Sequence, residues 1–316
     1  MAHDRSPKHR FVFQWIPLCL VVVCLGSQIA FFKRERVLER EVAKERTSST
    51  ERQKKAIASE KARKESNPPA AATASNAATV KLRPSEWDNW TIVDPRTEFP
   101  HQPPDVPAPK LGFNGHPTPP FITTHLWFLE EIKKQQPDLV FLGDSITEGW
   151  LHNPAVWASA FGKYHPFNLG IGGDRTQHVL WRIENGELDG QHPKVAVVLI
   201  GTNNLFSDSP QDIANGVTAV VTAIRKKSQT TKVILLAIFP RGERPNEARA
   251  KAEAVNSIIS KLDDGHEIRF LDLSSNFLRA DQTLDREVMP DFLHPSAKGY
   301  EIWAEGMCPL LTELMN

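Results

Sequence analysis

The feature that most constrains the fold is an alternation of short apolar runs with longer amphipathic stretches after residue 121. Continuous apolar runs bounded by polar turns are typical of strands buried on both faces, and the amphipathic stretches between them are typical of helices. The predicted strands are Leu139–Leu142, Phe167–Leu169, Val195–Ile200, Val233–Ile238 and Ile268–Leu273, and two of the predicted helices are Asp212–Lys227 and Glu247–Leu262. The alternation therefore predicts an α/β fold with a parallel sheet covered by helices on both faces.

Polar and glycine-rich sequences follow the first three predicted strands. Gly143-Asp144-Ser145 follows the first strand, the sequence NLGIGGD (168–174) spans the end of the second, and GTNN (201–204) follows the third. Because active sites of parallel α/β sheets lie at the carboxyl ends of the strands, these three turns should meet at one edge. Near the C-terminus, Asp291-Phe-Leu-His294 stands before a final helix predicted to start at Pro295 or Ser296, and it can bring a base and its orienting carboxylate to the same edge.

Ser145 has two interpretations. The sequence Ser-Ile-Thr-Glu (145–148) fits a capping box, in which the serine hydroxyl and the glutamate satisfy free N–H groups at a helix start. A serine hydroxyl also becomes a nucleophile when an imidazole accepts its proton and a carboxylate orients that imidazole. Asp291 and His294, three positions apart, offer both groups, and a serine can begin a helix and still be the nucleophile.

These motifs together resemble the SGNH (GDSL) hydrolase superfamily. Within it, the stretch GIGGDRTQHVLWRIENGEL (170–188) is similar to the catalytic subunits of the type I platelet-activating-factor acetylhydrolases and their bacterial relatives. The resemblance covers residues from about Leu126 to the C-terminus. It implies a three-layer α/β/α flavodoxin-like fold and a serine esterase that needs no metal or other cofactor.

The resemblance also implies roles for individual residues. It makes Ser145, Asp291 and His294 the catalytic triad. The implied oxyanion hole consists of the backbone N–H groups of Ser145 and Gly173 and the side-chain amide of Asn203. Such preorganised donors suit the negative charge that develops during ester hydrolysis, and glycine leaves room for the substrate because it has no Cβ. His178 and Trp181 are interpreted as packing residues.

The predicted function is hydrolysis of a short-chain ester, with acetyl as the acyl group and a lipid or a carbohydrate as the alcohol. The alternative is a membrane-tethered binding protein that keeps the fold without turnover. A dinucleotide site at Gly170-Ile-Gly-Gly is excluded because the fingerprint requires a glycine where Arg175 stands. No G-x-S-x-G elbow surrounds Ser145, which argues against the α/β-hydrolase class.

Charge divides the chain into two parts. Residues 1–66 contain 15 Lys+Arg and 8 Asp+Glu, a net charge of +7, so residues 67–316 contain 38 − 15 = 23 and 38 − 8 = 30, a net charge of −7. An acidic folded part argues against nucleic-acid binding, which needs a basic face. Cys308 is the only cysteine after residue 24, which excludes an internal disulfide or a cysteine metal site in that part.

The N-terminal third is predicted to lie outside the hydrolase domain. Residues 11–32 carry no charge over 22 positions, and a helix of that length rises about 33 Å, enough to cross a bilayer. Residues 1–32 are therefore a signal anchor or a cleaved signal peptide, and the continued apolar sequence beyond Gly26 favours the anchor. A basic N-terminal flank favours export of the catalytic part, whereas the larger number of lysines and arginines after residue 32 favours the opposite orientation.

Between the apolar segment and the hydrolase domain the composition changes twice. Residues 33–85 are predicted to form a charged stalk and a low-complexity linker, because they lack a sustained heptad and contain the sequence NPPAAATASNAAT. Residues 86–120 are predicted to be a proline-rich lead-in that runs over the domain surface as extended chain. Residues 121–316 form the predicted SGNH hydrolase domain. A homodimer is compatible with this sequence, which does not determine the oligomeric state.

Overall fold

The computed structural model describes residues 101–112 and 115–316. Helices and strands alternate along this part of the chain. The helices are α1 (Pro119–Gln135), α2 (Ser145–Glu148), α3 (Pro154–Phe161), α4 (Thr176–Arg182), α5 (Pro210–Lys227), α6 (Glu247–Ile259), α7 (Ser274–Phe277) and α8 (Ala297–Met315). The strands are β1 (Leu139–Gly143), β2 (Pro166–Gly170), β3 (Val195–Leu199), β4 (Lys232–Leu236) and β5 (Ile268–Leu271).

The five strands form one parallel sheet in the order β2-β1-β3-β4-β5. This order is that of flavodoxin-like folds, in which the chain changes direction across the sheet between β1 and β3. The predicted α/β fold with a parallel sheet is thus confirmed, and the strand ends differ from the predicted ones by at most two residues.

Each face of the sheet is covered by its own apolar cluster. Side chains alternate across a strand, so Val140 and Leu142 of β1 enter one cluster and Leu139 and Phe141 enter the other. The first cluster is completed by apolar residues of α1, α4, α5 and α6, and the second by residues of α2, α3, α7 and α8. The result is the three-layer arrangement that the continuous apolar strands predict.

The chain before α1 runs without regular secondary structure over its described residues, apart from an isolated bridge between Leu111 and Pro117. Thr118 precedes the helix, and proline occupies its first turn, where a missing N–H costs nothing. In the part of the chain that the structure describes, no helix combines the length and the apolar character needed to span a membrane. The predicted membrane segment 11–32 and the predicted stalk and linker 33–85 lie outside the described residues.

Candidate active site

The strand register brings three loops to one level at the carboxyl edge of the sheet. Gly143, the last residue of β1, pairs with Gly170 of β2 on one side and with Leu199 of β3 on the other. A Cβ on Gly143 would lie 2.1 Å from Thr147 Oγ1 and 2.4 Å from the Leu199 carbonyl oxygen, so only glycine fits this close approach. The loops that contain Ser145, the glycine pair and Asn203 therefore leave the sheet side by side.

Ser145 is the first residue of α2, and it does not cap that helix. The N-cap is Asp144, whose Oδ1 accepts a hydrogen bond from the Ile146 N–H at 2.9 Å. The capping-box interpretation of Ser145 and Glu148 is therefore wrong, because the aspartate one position earlier takes the capping role. The Ser145 hydroxyl instead lies 2.9 Å from Nε2 of His294.

His294 is held by Asp291 in a tight turn before α8. Nδ1 of His294 lies 2.7 Å from Oδ2 of Asp291, and the other carboxylate oxygen accepts hydrogen bonds from the N–H groups of Leu293 and His294. Burial alone would raise the pKa of Asp291, but the hydrogen bonds from His294 and Leu293 outweigh it and lower the pKa below its usual value. Phe292 adopts a left-handed conformation in this turn (φ 58°), and its carbonyl accepts a hydrogen bond from the Gly242 N–H.

The loop after β2 (171–175), which we call the glycine loop, turns sharply beside Ser145. The Asp174 N–H donates to the Ile171 carbonyl at 3.1 Å, and Gly173, at the third position of this turn, has φ +75°, as a type II turn requires. A Cβ on Gly172 would lie 3.8 Å from Cβ of Ser145, which shows how closely the loop passes the serine.

Asn203 lies in the short 3-10 turn after β3 and contacts the same loop. Its Nδ2 donates to the Asp174 carbonyl at 2.8 Å and lies 3.4 Å from Oδ2 of Asp144. The structure thus brings all five predicted site residues to one edge of the sheet, and Asn203 is anchored by one of its two amide hydrogens. Asp144 is buried, and this burial raises its pKa to about 7.

A chain of buried charges lies beneath the glycine loop. Asp174 contacts Nζ of Lys110 at 2.7 Å and Nε of Arg182 at 3.0 Å. Arg182 also donates to Glu187, whose second oxygen lies 3.1 Å from Nδ1 of His125. Burial alone would raise the pKa of Glu187, but Arg182 and His125 hold it below its usual value. Sequence reasoning missed this network: Asp174, Arg182 and Glu187 lie in the stretch 170–188, but Lys110 and His125 come from the lead-in and α1, and no motif links them to that stretch.

His178 and Trp181 lie at the contact between α1 and α4. Nδ1 of His178 accepts a hydrogen bond from the Arg175 N–H at the start of α4, and burial lowers the pKa of the imidazole well below its usual value. The Trp181 ring packs against Phe121 and His125 at centroid distances of 5.5 and 5.1 Å. Both side chains thus stabilise the packing of α1 against α4.

The rim of the site carries an exposed aromatic ring that the sequence analysis also missed. Phe206, shortly after Asn203, is 72% exposed, and the Arg241 guanidinium lies 4.7 Å from its ring centroid. Arg241 donates to the Thr202 carbonyl at 3.1 Å and interacts electrostatically with Asp144 and Asp291. The cation and the ring therefore border the same edge as Ser145.

Comparisons with known proteins identify the type of protein. The chain is 36% identical to platelet-activating factor acetylhydrolase IB subunit alpha1 from Bos taurus, over 62% of this chain and 84% of that protein. It is 35% identical to subunit alpha2 from Rattus norvegicus, over 62% and 85%. Among solved structures, a GDSL-like lipase from Bacteroides thetaiotaomicron aligns with 61% of this chain and 96% of its own, with a TM-score of 0.50 and 20% identity, which supports the fold alone.

The fold, the site and these relatives define the class of protein: the chain is a carboxylic ester hydrolase with a parallel α/β sheet. More narrowly, it belongs to the GDSL-like lipase/acylhydrolase family, whose model matches residues 141–302. Lys110 and His125 lie before the matched region, although both contact groups beneath the glycine loop.

Proposed function

We propose that this protein is a serine esterase that removes a short acyl group, acetyl, from the hydroxyl oxygen of a lipid or a carbohydrate. The observation that carries the proposal is the unbroken contact chain from Ser145 Oγ through His294 to Asp291, with heavy-atom distances of 2.9 and 2.7 Å. These distances lie within the reach that proton transfer between nucleophile, base and orienting carboxylate requires. The acetyl preference is supported by the relatives, whose names describe acetylhydrolases.

The proposed reaction has two halves. His294 Nε2 accepts the hydroxyl proton as Ser145 Oγ attacks the ester carbonyl carbon, and Asp291 stabilises the resulting imidazolium. His294 then donates that proton to the leaving alcohol oxygen, which leaves an acyl group on Ser145. In the second half, His294 takes a proton from water, the water oxygen attacks the acyl carbon, and the carboxylic acid departs as Ser145 recovers its proton.

The oxyanion formed in each half needs hydrogen-bond donors. We assign this role to the N–H groups of Ser145 and Gly173 and to the amide of Asn203. The first N–H groups of a helix have no partner within the helix, so the Ser145 N–H at the start of α2 suits the role. The Asn203 amide has a second hydrogen besides the one donated to the Asp174 carbonyl, and Asp144 competes for it only at 3.4 Å.

The decisive experiment compares Ser145→Ala with the wild-type chain in turnover of nitrophenyl acetate and in labelling by a fluorophosphonate, which modifies activated serines. We expect loss of both in Ser145→Ala. Ser275→Ala, at an exposed serine of α7, is the matched control and should keep both. A wild-type chain that is folded but neither labelled nor active would favour the alternative of a non-catalytic binding protein.

The substrate is resolved by a panel of esters. Acetyl, butyryl and long-chain nitrophenyl esters measure the acyl preference, and acetylated glycans and acetylated phospholipids measure the alcohol preference. The exposed Phe206 ring beside Arg241 suits an alcohol that offers a flat apolar face next to a polar or anionic group. Preference for long acyl chains would overturn the acetyl assignment and leave the esterase assignment standing.

We also propose that residues 11–32 anchor the protein in a membrane and that the hydrolase domain lies on the exported side. The support is the uncharged run of 22 residues after a basic flank. The full chain should stay with membranes after alkaline carbonate washing, and external protease should degrade its hydrolase domain in intact cells. Release by carbonate would contradict the anchor, and protection from protease would contradict the orientation.

A further inference from the structure

Lys110 is the one residue of the described lead-in whose charged group reaches the glycine loop of the site. Its Nζ donates to the Gly172 carbonyl at 2.7 Å and forms an ion pair with Asp174 at the same distance. The side chain is 18% exposed, and its ammonium also lies 5.5 Å from the centroid of the Phe121 ring. Lys110 precedes α1 and stands 31 positions before the start of the matched family region, 141 − 110 = 31.

The Gly172 carbonyl belongs to the same peptide group as the Gly173 N–H. This peptide group is the central one of the turn from Ile171 to Asp174. The hydrogen bond that closes the turn joins the Asp174 N–H to the Ile171 carbonyl, so it uses neither the Gly172 carbonyl nor the Gly173 N–H. The carbonyl and the N–H of a trans peptide point in opposite directions. The ammonium that holds the carbonyl therefore directs the Gly173 N–H away from Lys110.

The residue types at positions 172 and 173 do not by themselves fix the orientation of this peptide group. Two glycines tolerate either orientation of a central turn peptide, because neither has a Cβ to exclude one of them. A hydrogen bond to the Gly172 carbonyl stabilises the orientation that the structure shows. It also polarises the peptide, so that the Gly173 N–H becomes a stronger donor, and the effect is larger away from bulk water.

We propose that Lys110 is a positioning residue for the oxyanion hole: it fixes and polarises the Gly172–Gly173 peptide so that its N–H serves the reaction. The proposal rests on the role assigned to Gly173 above. It makes the lead-in a working part of the site rather than a connection to it.

Lys110 is itself held in place by the backbone on both sides. Its carbonyl accepts a hydrogen bond from the Thr118 N–H at 2.8 Å, and the Ala108 N–H donates to the Gln177 carbonyl at 3.1 Å. Further back, the Pro104 carbonyl accepts a hydrogen bond from the Thr176 hydroxyl at 2.8 Å. These hydrogen bonds attach the lead-in to α4, which starts directly after the glycine loop. The distance between the Lys110 ammonium and the glycine loop is therefore fixed.

The test uses full-length Lys110→Met, which keeps the length of the side chain and removes the donor and the charge. We expect kcat to fall about tenfold and KM to change less than twofold, since the donor acts mainly in the transition state. Lys110→Arg, which keeps a cationic donor, should recover part of the loss. Lys194→Met is the control, because Lys194 pairs with Asp138 at the opposite edge of the sheet. Active-site titration and a melting curve correct kcat for misfolded protein.

A spectroscopic readout separates positioning from general stability. Gly172-Gly173 is the only Gly-Gly pair in the chain, so labelling with [1-¹³C, ¹⁵N]glycine gives one HNCO peak, from the Gly172 carbonyl and the Gly173 N–H. Loss of the hydrogen bond should move the carbonyl ¹³C resonance upfield in Lys110→Met and leave it in place in Lys194→Met. If Lys110→Met does not fold, Lys110→Ala, which also lacks a donor and a charge, carries the same measurement.

The outcomes separate the two proposals. Unchanged kcat or an unchanged HNCO peak in folded Lys110→Met overturns the positioning role, and so does a lower melting temperature as the only effect. These results leave the esterase proposal intact. An active Ser145→Ala variant would overturn the esterase proposal, and the positioning role falls with it.

Discussion

At the scale of single residues, Asp144 and Ser145 take different roles at the start of α2, and this difference leaves the Ser145 hydroxyl available for the proposed role of nucleophile. Both residue types are good helix N-caps, and a serine used as a cap would spend its hydroxyl on a backbone N–H. Here the Asp144 carboxylate accepts the Ile146 N–H, and the Ser145 hydroxyl is left for His294. The arrangement places a carboxyl group in a fully buried position, which has a measurable consequence for stability.

We expect Asp144→Asn to change how stability depends on pH. Burial raises the pKa of Asp144 from 3.8 to about 7, so between these values the folded state holds a proton that the unfolded chain has released. Folding then becomes less favourable as pH rises through this window and levels off above it. Asparagine cannot titrate, so the difference between the melting temperatures of variant and wild type should shift in favour of the variant from about pH 4 to about pH 7. Parallel curves over this range would contradict the buried titration.

Asn203 allows the sharpest test of the oxyanion hole. If its amide donates to the oxyanion, Asn203→Ala should lower kcat by roughly 10² to 10³, about 2.7–4 kcal/mol, with little change in KM. The same amide anchors the Asp174 carbonyl, so a melting curve and active-site titration must accompany the kinetics. A folded Asn203→Ala variant with nearly wild-type kcat would remove this residue from the mechanism and leave only its anchoring role.

At the scale of elements, α5 meets α4 and the lead-in at a glycine. A Cβ on Gly216 would lie 2.4 Å from Thr176 Oγ1 and 2.6 Å from the Pro104 carbonyl oxygen, so the two groups occupy the space that any other residue would need. The hydrogen bond between Thr176 and Pro104, which attaches the lead-in, thus runs directly over this glycine.

Gly216→Ala should therefore destabilise the protein, although alanine is the better helix former. Overpacking costs about 1–3 kcal/mol, which exceeds the gain of roughly 0.5–1 kcal/mol from helix propensity. Gly162→Ala is the matched control: its backbone is helical (φ −53°) and no heavy atom lies within 4 Å of its added Cβ. Melting temperatures should fall for Gly216→Ala and stay level or rise for Gly162→Ala. Equal effects of the two changes would show that Thr176 and Pro104 can move to make room for a Cβ at position 216.

The elements differ in how far their sequence predicts them. Strands such as β1 and β3 could be predicted because every residue in them is buried, which produces unbroken apolar runs. The positions of the candidate triad residues could be predicted because Ser145 follows a recognisable strand and Asp291 and His294 precede a helix, whereas their roles were implied by the resemblance to the SGNH hydrolases. The contact of Lys110 with Gly172 could not, since the two are 62 positions apart and a proline-rich stretch has no periodicity that reports its partners. The cap at Asp144 was missed for a different reason: aspartate and serine have nearly equal capping preferences, so neighbouring candidates cannot be distinguished.

At the scale of the whole molecule, the lead-in defines where the working domain must begin. Residues from about Leu82 to Asn316 should fold and hydrolyse esters without the preceding segment, because every proposed site residue lies within them. A chain that begins at Pro119 should keep the sheet and lose at least tenfold in kcat, because it lacks Lys110. Circular dichroism and ester turnover of the two truncated proteins check these expectations. A Pro119–Asn316 protein with full activity would show that the site is complete without the lead-in.

The hydrogen bond between Ser145 and His294 joins residues 149 positions apart. Contacts between residues so far apart in the sequence form late in folding, because closing the long loop between them costs entropy before the contact itself contributes any stability. The strands and helices between them depend on shorter separations and should be in place earlier. During refolding, labelling of Ser145 by a fluorophosphonate should therefore return after the circular dichroism signal, so the labelling reports when α8 docks onto the sheet.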